Sequence, residues 1–218
     1  WVNVRRGSVA KEAFYVVLGV KEDGTRDVLA VSHQPTESAT GWAMLLEELH
    51  ERGVHEVGLV VADGLKGLEQ AVARSYPAAG FQLCATHVKR RLLTRVRTED
   101  KPLLAEDLRE VFATDRRDDT PEKGWKRWQA VCAKWQGKYR RFATLKSELR
   151  YRASFTCLNY DPRMRSMIYT TNWIERLNKD FRRVLKARNS MPDEDSVITL
   201  LGHVAMDCLL YTSDAADD

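Results

Sequence analysis

The chain has 218 residues and a nearly balanced charge, with 35 lysines and arginines against 31 aspartates and glutamates, as in a globular protein of one or two domains. Its longest apolar runs, such as residues 13–20, are far too short to cross a bilayer, so we expect no membrane partner. Four scattered cysteines give neither a disulfide framework nor a paired metal site, which favours a cytoplasmic location. Because Trp1 is not an initiator methionine, we expect the natural N-terminus to lie upstream.

Positive charge is concentrated in two clusters, although the net charge is only +4. The first cluster comprises Lys89, Arg90, Arg91, Arg95 and Arg97, and the second comprises Lys179, Arg182, Arg183, Lys186 and Arg188. Such clusters fit a polyanionic partner, because contacts to phosphates release condensed counterions. On composition alone, solvated helix faces explain them at least as often, so both interpretations stay open.

Residues 1–92 carry the signals of an α/β protein. Residues 13–18 and 28–31 are strand-like, and the turn signal at residues 21–25 predicts that they form an antiparallel hairpin, preceded by a strand remnant at residues 1–5. Apolar residues at helical spacing then predict a helix over residues 42–49 that ends at Gly53. The pattern continues with a buried strand (55–62), a short helix (65–72) and another strand (81–84). This order of elements is that of a ribonuclease H-like mixed sheet.

Residues 93–166 differ in character, because strand signals fade and charged residues dominate. We interpret this region as an all-helical insertion. Trp125, Trp128, Val131 and Trp135 recur near helical spacing. These tryptophans could stack on nucleic-acid bases, but a stripe for helix packing is the favoured interpretation.

Residues 167–207 return to a strong pattern and are predicted to complete the core. Ile174, Leu177, Phe181, Val184 and Leu185 have the three-four spacing of a long amphipathic helix. Glu175, Asn178 and Arg182 lie together on a neighbouring polar face of that helix. Residues 208–218 resemble the translation of a sequencing adapter, so we expect them to be non-native.

Asp63 follows a predicted buried strand and precedes a predicted helix. Its side chain could simply cap that helix. It could equally bind a divalent cation, because ligands gather at the carboxyl ends of strands in open α/β sheets. Taken alone, the residue does not decide between these two roles.

Glu175 has a similar pair of interpretations. Asn172 and Glu175 are three residues apart at a predicted helix start, and this spacing is close to a capping box. Taken alone, capping is favoured. Two carboxylates on separate elements, Asp63 and Glu175, flanked by basic clusters, are instead what two-metal phosphoryl chemistry requires, with Mg²⁺ bound by carboxylate and water oxygens.

Cys84 and His87 have the spacing of half a zinc site, but the sequence offers no second half. A structural role is therefore favoured, with a buried cysteine and a hydrogen-bonded histidine.

Together these stretches resemble the Mutator-type transposases of bacterial insertion sequences, which are related to the plant Mutator-like elements. The matching stretches are Asp63-Gly64-Leu65-Lys66-Gly67-Leu68, Cys84-Ala85-Thr86-His87 with the basic residues after it, and Ile168-Tyr169-Thr170-Thr171-Asn172-Trp173-Ile174-Glu175-Arg176-Leu177-Asn178. The resemblance extends from Trp1 to about Asp207, with the helical insertion between the second and third stretches.

This resemblance implies a DDE transposase with a ribonuclease H-like catalytic domain that binds Mg²⁺ or Mn²⁺. Such an enzyme nicks the transposon ends with water and joins the exposed 3′-hydroxyl to target DNA. By the resemblance, Asp63 is the second acidic metal ligand, Glu175 is the third, and the Cys84–His87 signature lies on the active-site side of the core. The expected DNA contacts are Lys66, Lys89, Arg90, Arg91, Asn172, Arg176, Asn178, Lys179, Arg182 and Arg183. A bacterial, nucleoid-associated location and a homo-oligomeric active complex are also implied.

The first catalytic aspartate of such proteins lies in the first strand, just ahead of the residues that match 1–5. Nothing in residues 1–12 replaces it, because Glu12 lies beyond the turn at Gly7, in the next strand. We therefore expect this chain to be inactive by itself. Two other functions stay open: a ribonuclease H-like nuclease or resolvase that cuts without joining, and an inactive DNA-binding remnant of a transposase.

Overall fold

The computed structural model describes the backbone of residues 1–213 and the side chains of residues 1–5 and 7–208. The described strands are β1 (Val2–Arg6), β2 (Ser8–Val20), β3 (Arg26–Gln34), β4 (Leu59–Ala62) and β5 (Gly80–Leu83). The described α-helices are α1 (Ala39–Glu51), α2 (Leu68–Ser75), α3 (Ala85–Leu93), α4 (Lys101–Val111), α5 (Pro121–Trp135), α6 (Arg141–Leu145), α7 (Pro162–Ile168), α8 (Asn172–Lys186) and α9 (Glu194–Ser213). Two 3₁₀ stretches cover Thr98–Asp100 and Leu149–Asn159.

The chain divides into two compact units. The sheet unit comprises residues 1–55 and the chain from Asn172 onward, and the helical unit comprises residues 56–171. The chain is therefore mixed α/β, as predicted. None of the described helices is both long and apolar enough to cross a membrane.

The sheet unit is built on an antiparallel meander of β1, β2 and β3. Val2 pairs with Glu12 across the first two strands, and Val16 pairs with Val31 across the hairpin, so the predicted hairpin and the strand before it are confirmed. In the turn, Gly24 has φ +85°, a conformation that a glycine adopts without strain.

Both faces of this sheet are covered by helices, because apolar residues alternate along the strands. One face, with Val2 and Val4, packs against Leu177 and Phe181 of α8 and against α9. The opposite face packs against α1, and its buried residues are Ala13, Tyr15, Ala30, Leu45 and Leu49. The apolar periodicity that predicted α1 and α8 is thus confirmed as the packing side of each helix.

The helical unit contains the parallel pair β4 and β5, which run in register from Leu59 opposite Gly80 to Ala62 opposite Leu83. The predicted strand over residues 55–62 is too long, since only its last four residues form the ladder. The buried Gln82 side chain ties β5 to the Leu149–Asn159 stretch. Its amide donates to the Ser154 carbonyl at 2.9 Å and accepts the Cys157 N–H at 2.7 Å.

The core of the helical unit confirms the packing interpretation of the tryptophan stripe. Trp125, Trp128 and Trp135 are all buried in one apolar cluster. The Trp128 indole N–H donates to the Leu145 carbonyl at 3.1 Å, and the Trp135 indole N–H donates to Asp107 at 2.7 Å. Buried indoles need such partners, and rings placed this way are not available for stacking on bases.

The described ladders form one three-stranded antiparallel sheet and one two-stranded parallel pair. The ribonuclease H-like fold is a finer statement than this and stays a prediction. The predicted domain boundaries at residues 92/93 and 166/167 also stay predictions. They were placed where the strand signals and the charge content of the sequence change, whereas the two units are defined by contacts between residues. The suspected non-native tail begins at Cys208, and its residues 214–218 lie outside the described residues.

Candidate active site

Asp63 directly follows β4, at the carboxyl end of a parallel strand pair. Its side chain is exposed, and no hydrogen bond or ion pair within the described part of the chain holds its carboxylate. The helix-capping alternative is wrong, because α2 begins only at Leu68 and the residue before it is Gly67, with φ +89°. The Asp63 carboxylate is therefore available to a cation.

The turn after Asp63 is held tightly against β5. Gly64 has φ +86°, and a Cβ atom at this position would lie 2.4 Å from Cδ1 of Leu83. The positive φ favours glycine here, and an added Cβ would also have to displace the end of the Leu83 side chain. The Cys84 N–H donates to the Ala62 carbonyl at 2.7 Å, so the two strands end side by side and Asp63 and Cys84 leave the same edge of the ladder.

Cys84 is fully buried and joins a small polar cluster with His87 and Thr171. Its Sγ lies 3.2 Å from Nδ1 of His87, and it accepts hydrogen bonds from the Thr171 N–H at 3.4 Å and from the Thr171 hydroxyl at 3.3 Å. The Ala85 N–H donates to the Tyr169 carbonyl at 3.0 Å. The Cys-x-x-His spacing thus serves to hold residues 169–171, the segment just before α8, against the end of β5.

Sequence reasoning missed Thr171 as a member of this cluster. Its position directly ahead of the α8 pattern, in the stretch that follows Ile168, was a visible signal. Thr171 lies 87 residues after Cys84 and 84 residues after His87, and no sequence periodicity indicates contacts between residues so far apart.

Glu175 lies in the first turn of α8 and is partly buried. The burial of Leu177 and Phe181 on the sheet fixes the rotation of this helix within the sheet unit. Both metal binding and helix capping fit the place of Glu175. Asp63, Cys84 and His87 all belong to the helical unit, whereas Glu175 belongs to the other unit.

Most of the predicted DNA contacts are exposed. On the helical unit these are Lys66, Arg90 and Arg91, and on the sheet unit they are Asn172, Arg176, Lys179, Arg182 and Arg183, while Asn178 is partly buried. The Arg183 guanidinium lies 3.3 Å from the Asp180 carboxylate, one turn back on α8. Exposure fits contact with a polyanion and also fits a solvated face.

Lys89 differs from the other basic residues because it is half-buried. Its Nζ lies 5.4 Å from the ring centroid of Phe112 and 5.7 Å from that of Tyr169. Burial, and secondarily the charge of Arg109, lowers the pKa of the Lys89 ammonium below its ordinary value. These contacts favour a packing role for Lys89 within the helical unit.

The sequence profile of the Mutator family of transposases matches residues 1–210. The chain belongs to this family. The Mutator-type resemblance inferred from the three motif stretches is thereby confirmed.

Several insertion-sequence proteins are similar to this Mutator-family chain. The transposase of element IS905 from Lactococcus lactis is 32% identical over 197 residues, covering 90% of this chain and 49% of the relative. The transposase of IS1201 from Lactobacillus helveticus is 30% identical over 210 residues, covering 94% and 54%. The transposase of ISRM3 from Rhizobium meliloti is 31% identical over 203 residues, covering 92% and 49%. The chain spans about half the length of these relatives.

Proposed function

We propose that this chain is the catalytic core of a DDE transposase that cleaves and joins DNA, with Asp63 and Glu175 as ligands of Mg²⁺ or Mn²⁺. The observation that carries the proposal is the exposed, unpaired carboxylate of Asp63 at the carboxyl end of β4, in a chain of the Mutator family. Carboxylate oxygens are the donors that both ions prefer. Bound metal would activate the attacking hydroxyl and stabilise the leaving oxygen.

The protein's own part in this chemistry is to position groups. The close packing of Gly64 on Leu83 orients Asp63, and the Cys84–His87–Thr171 cluster anchors the segment that leads into the helix of Glu175. The exposed basic residues of the predicted DNA contacts neutralise phosphates, whereas Lys89 acts in packing. Transposon ends and target DNA are the proposed substrates, and the active complex is proposed to contain more than one copy of the protein.

A ribonuclease H-like core and a third carboxylate complete the proposal. The element order, three antiparallel strands followed by helix, strand, helix and strand, supports that fold. β2 continues to Val20, beyond Glu12, where its pairing with β1 ends. If the full-length protein continues upstream, the register would pair the third residue ahead of Trp1 with Val16, whose side chain packs on the α8 side of the sheet. An aspartate at that position would face the helix that carries Glu175.

The test is cleavage of transposon ends by the full-length protein with Mg²⁺. Asp63→Asn and Glu175→Gln should each reduce cleavage at least about a thousandfold, because several kcal/mol of transition-state stabilisation depend on the bound metal. Asp115→Asn and Glu47→Gln remove exposed carboxylates from the same two units and should leave cleavage unchanged.

Each alternative function predicts a different result. Retained cleavage in Asp63→Asn or Glu175→Gln would contradict the proposed site. Cleavage without any joined product, when a 3′-hydroxyl end and a target plasmid are supplied, would indicate a nuclease or resolvase. Metal-independent DNA binding without nicking would indicate an inactive remnant.

A further inference from the structure

The guanidinium of Arg26 lies over the indole ring of Trp173. The guanidinium carbon is 3.4 Å from the ring centroid. Arg26 is the first residue of β3, and Trp173 lies in the first turn of α8, so the contact joins two elements within the sheet unit. Arg26 stands two residues before Val28, which packs on the α8 side of the sheet, and strand alternation puts both side chains on that side.

Stacking explains where the Arg26 guanidinium lies but leaves its charge without a counterion. Within residues 1–208, no ion pair joins Arg26 to a carboxylate, and its buried Nε atom has no hydrogen-bond partner. The next residue, Asp27, points to the other side of the sheet by strand alternation. A partly buried, unpaired cation is unfavourable unless an anion approaches it.

A second arginine lines the same small depression. Its charged residues are Arg26 and Arg176, its other lining side chains are apolar or uncharged, and none of the described lining residues is acidic. Asp180, about one turn after Arg176 on α8, is engaged with Arg183 at 3.3 Å and receives the Cys208 thiol at 3.7 Å. Two like charges that share a depression with no acidic residue in its described lining repel each other, and an anion bound by both would relieve that repulsion.

We propose that Arg26 and Arg176, with Trp173 as the platform for Arg26, form a binding site for a backbone phosphate of DNA. This inference rests on the proposed function for its partner. Guanidinium groups suit phosphate because their donors form a planar fork that matches two phosphate oxygens. The exposed Lys179 continues the positive face along α8, one turn beyond Arg176, and a nucleic-acid backbone offers successive phosphates to such a face.

Trp173 has a positioning role in this site. A free arginine side chain loses rotamer freedom when it binds, whereas contact with the indole already restricts where the Arg26 guanidinium lies. Arg26→Lys would keep the charge but lose the planar fork that stacks on the ring. Trp173→Leu would keep both arginines but remove the platform.

The test is binding of the 218-residue chain to a fluorescently labelled DNA duplex over a series of salt concentrations. Arg26→Gln should weaken binding about eightfold at about 0.1 M salt and lower the slope of log K against log salt by about 0.9, the contribution of one phosphate contact. Arg26→Lys should keep the slope and lose roughly threefold in affinity through the lost pre-organisation. Arg52→Gln, which removes an exposed arginine that lies 3.5 Å from Glu48, is the matched control and should leave the slope unchanged.

Each outcome decides the proposal. A slope for Arg26→Gln equal to that of Arg52→Gln would overturn this site while leaving the proposed transposase function in place. Loss of affinity in Arg26→Gln together with active Asp63→Asn protein would support the phosphate site and overturn the proposed catalytic site. Absence of any DNA binding by the unaltered chain would overturn the phosphate site directly. Trp173→Phe retains an aromatic platform, and its melting temperature reports whether the variant still folds. We expect it to fold and to keep the slope of log K against log salt of the unaltered chain. A folded Trp173→Phe whose slope is lowered as in Arg26→Gln would contradict a platform role for the ring.

Discussion

The helical unit and the sheet unit use their charged side chains in opposite ways. In the helical unit, the buried Arg165 guanidinium donates to the carbonyls of Tyr160 at 2.8 Å, Arg116 at 2.7 Å and Leu158 at 3.0 Å. In the sheet unit, Arg26 lies over the Trp173 ring, and no ion pair joins it to a carboxylate of the described residues. Charges that are satisfied inside a unit stabilise it, while charges left without a counterion are available to a ligand.

Two aspartates of the helical unit show the same contrast within one unit. Asp119 is buried and accepts two hydrogen bonds from Arg127, at 2.8 and 2.5 Å. Asp63 is exposed and has no such partner in the described chain. We therefore expect Asp119 to matter for stability and Asp63 for activity.

The largest effect on stability is expected at Arg165. Arg165→Met should lower the free energy of unfolding by about 3 kcal/mol, because several buried carbonyls lose their donor at once. Arg163→Met, which removes an exposed arginine of the same helix paired with Asp161 at 3.0 Å, should cost less than about 1 kcal/mol. Urea denaturation measures both. An equal loss of the free energy of unfolding in the two variants would show that the buried hydrogen bonds of Arg165 do not stabilise this unit more than an exposed ion pair does.

A smaller effect is expected at Gly64. Gly64→Ala places a methyl group 2.4 Å from a Leu83 side-chain carbon at φ +86°, so about 2 kcal/mol of stability should be lost through strain. Gly137→Ala has nothing within 4 Å of the added Cβ and should be nearly neutral. Thermal unfolding of both variants is the measurement. A neutral Gly64→Ala would mean that the turn behind Asp63 is not held as tightly as its packing indicates.

The smallest effect is expected at Lys89. Its pKa is lowered in the folded protein, so the unfolded chain binds more protons just below the ordinary value of 10.5, and the free energy of unfolding should rise with pH through that window. Lys89→Met should abolish this rise and change stability by less than about 1 kcal/mol at neutral pH. It should also weaken DNA binding less than Arg91→Gln does. A pH profile identical to that of the unaltered protein would contradict the packing role.

Helices with strong apolar periodicity could be predicted from the sequence. The spacing from Ile174 to Leu185 predicted a long helix that the structure has as α8, and the tryptophan stripe predicted a packing face that is buried. Strand β4 is shorter than predicted, because apolar composition over residues 55–62 does not reveal where a partner strand begins to pair.

Contacts between distant residues could not be predicted. Arg165 reaches a carbonyl 49 residues away, and Gln82 reaches one 72 residues away, and a single sequence carries no signal for either. The role of Asp63 was undecided from sequence, because the helix pattern begins at Leu65, close to Asp63, and only the backbone shows that α2 begins at Leu68, after Gly67. The contact between Arg26 and Trp173 was also not predicted, because the two residues are far apart in the sequence.

A change of metal specificity at Asp63 tests the central claim most directly. In the full-length protein, Asp63→Cys replaces a hard oxygen ligand by a softer thiolate, which binds Mn²⁺ better than Mg²⁺. We expect cleavage of transposon ends to be lost with Mg²⁺ and to return at least in part with Mn²⁺, while Asp115→Cys behaves like the unaltered protein with both ions. If Asp63→Cys instead cleaved transposon ends with Mg²⁺ as well as it does with Mn²⁺, metal binding by Asp63 would be contradicted.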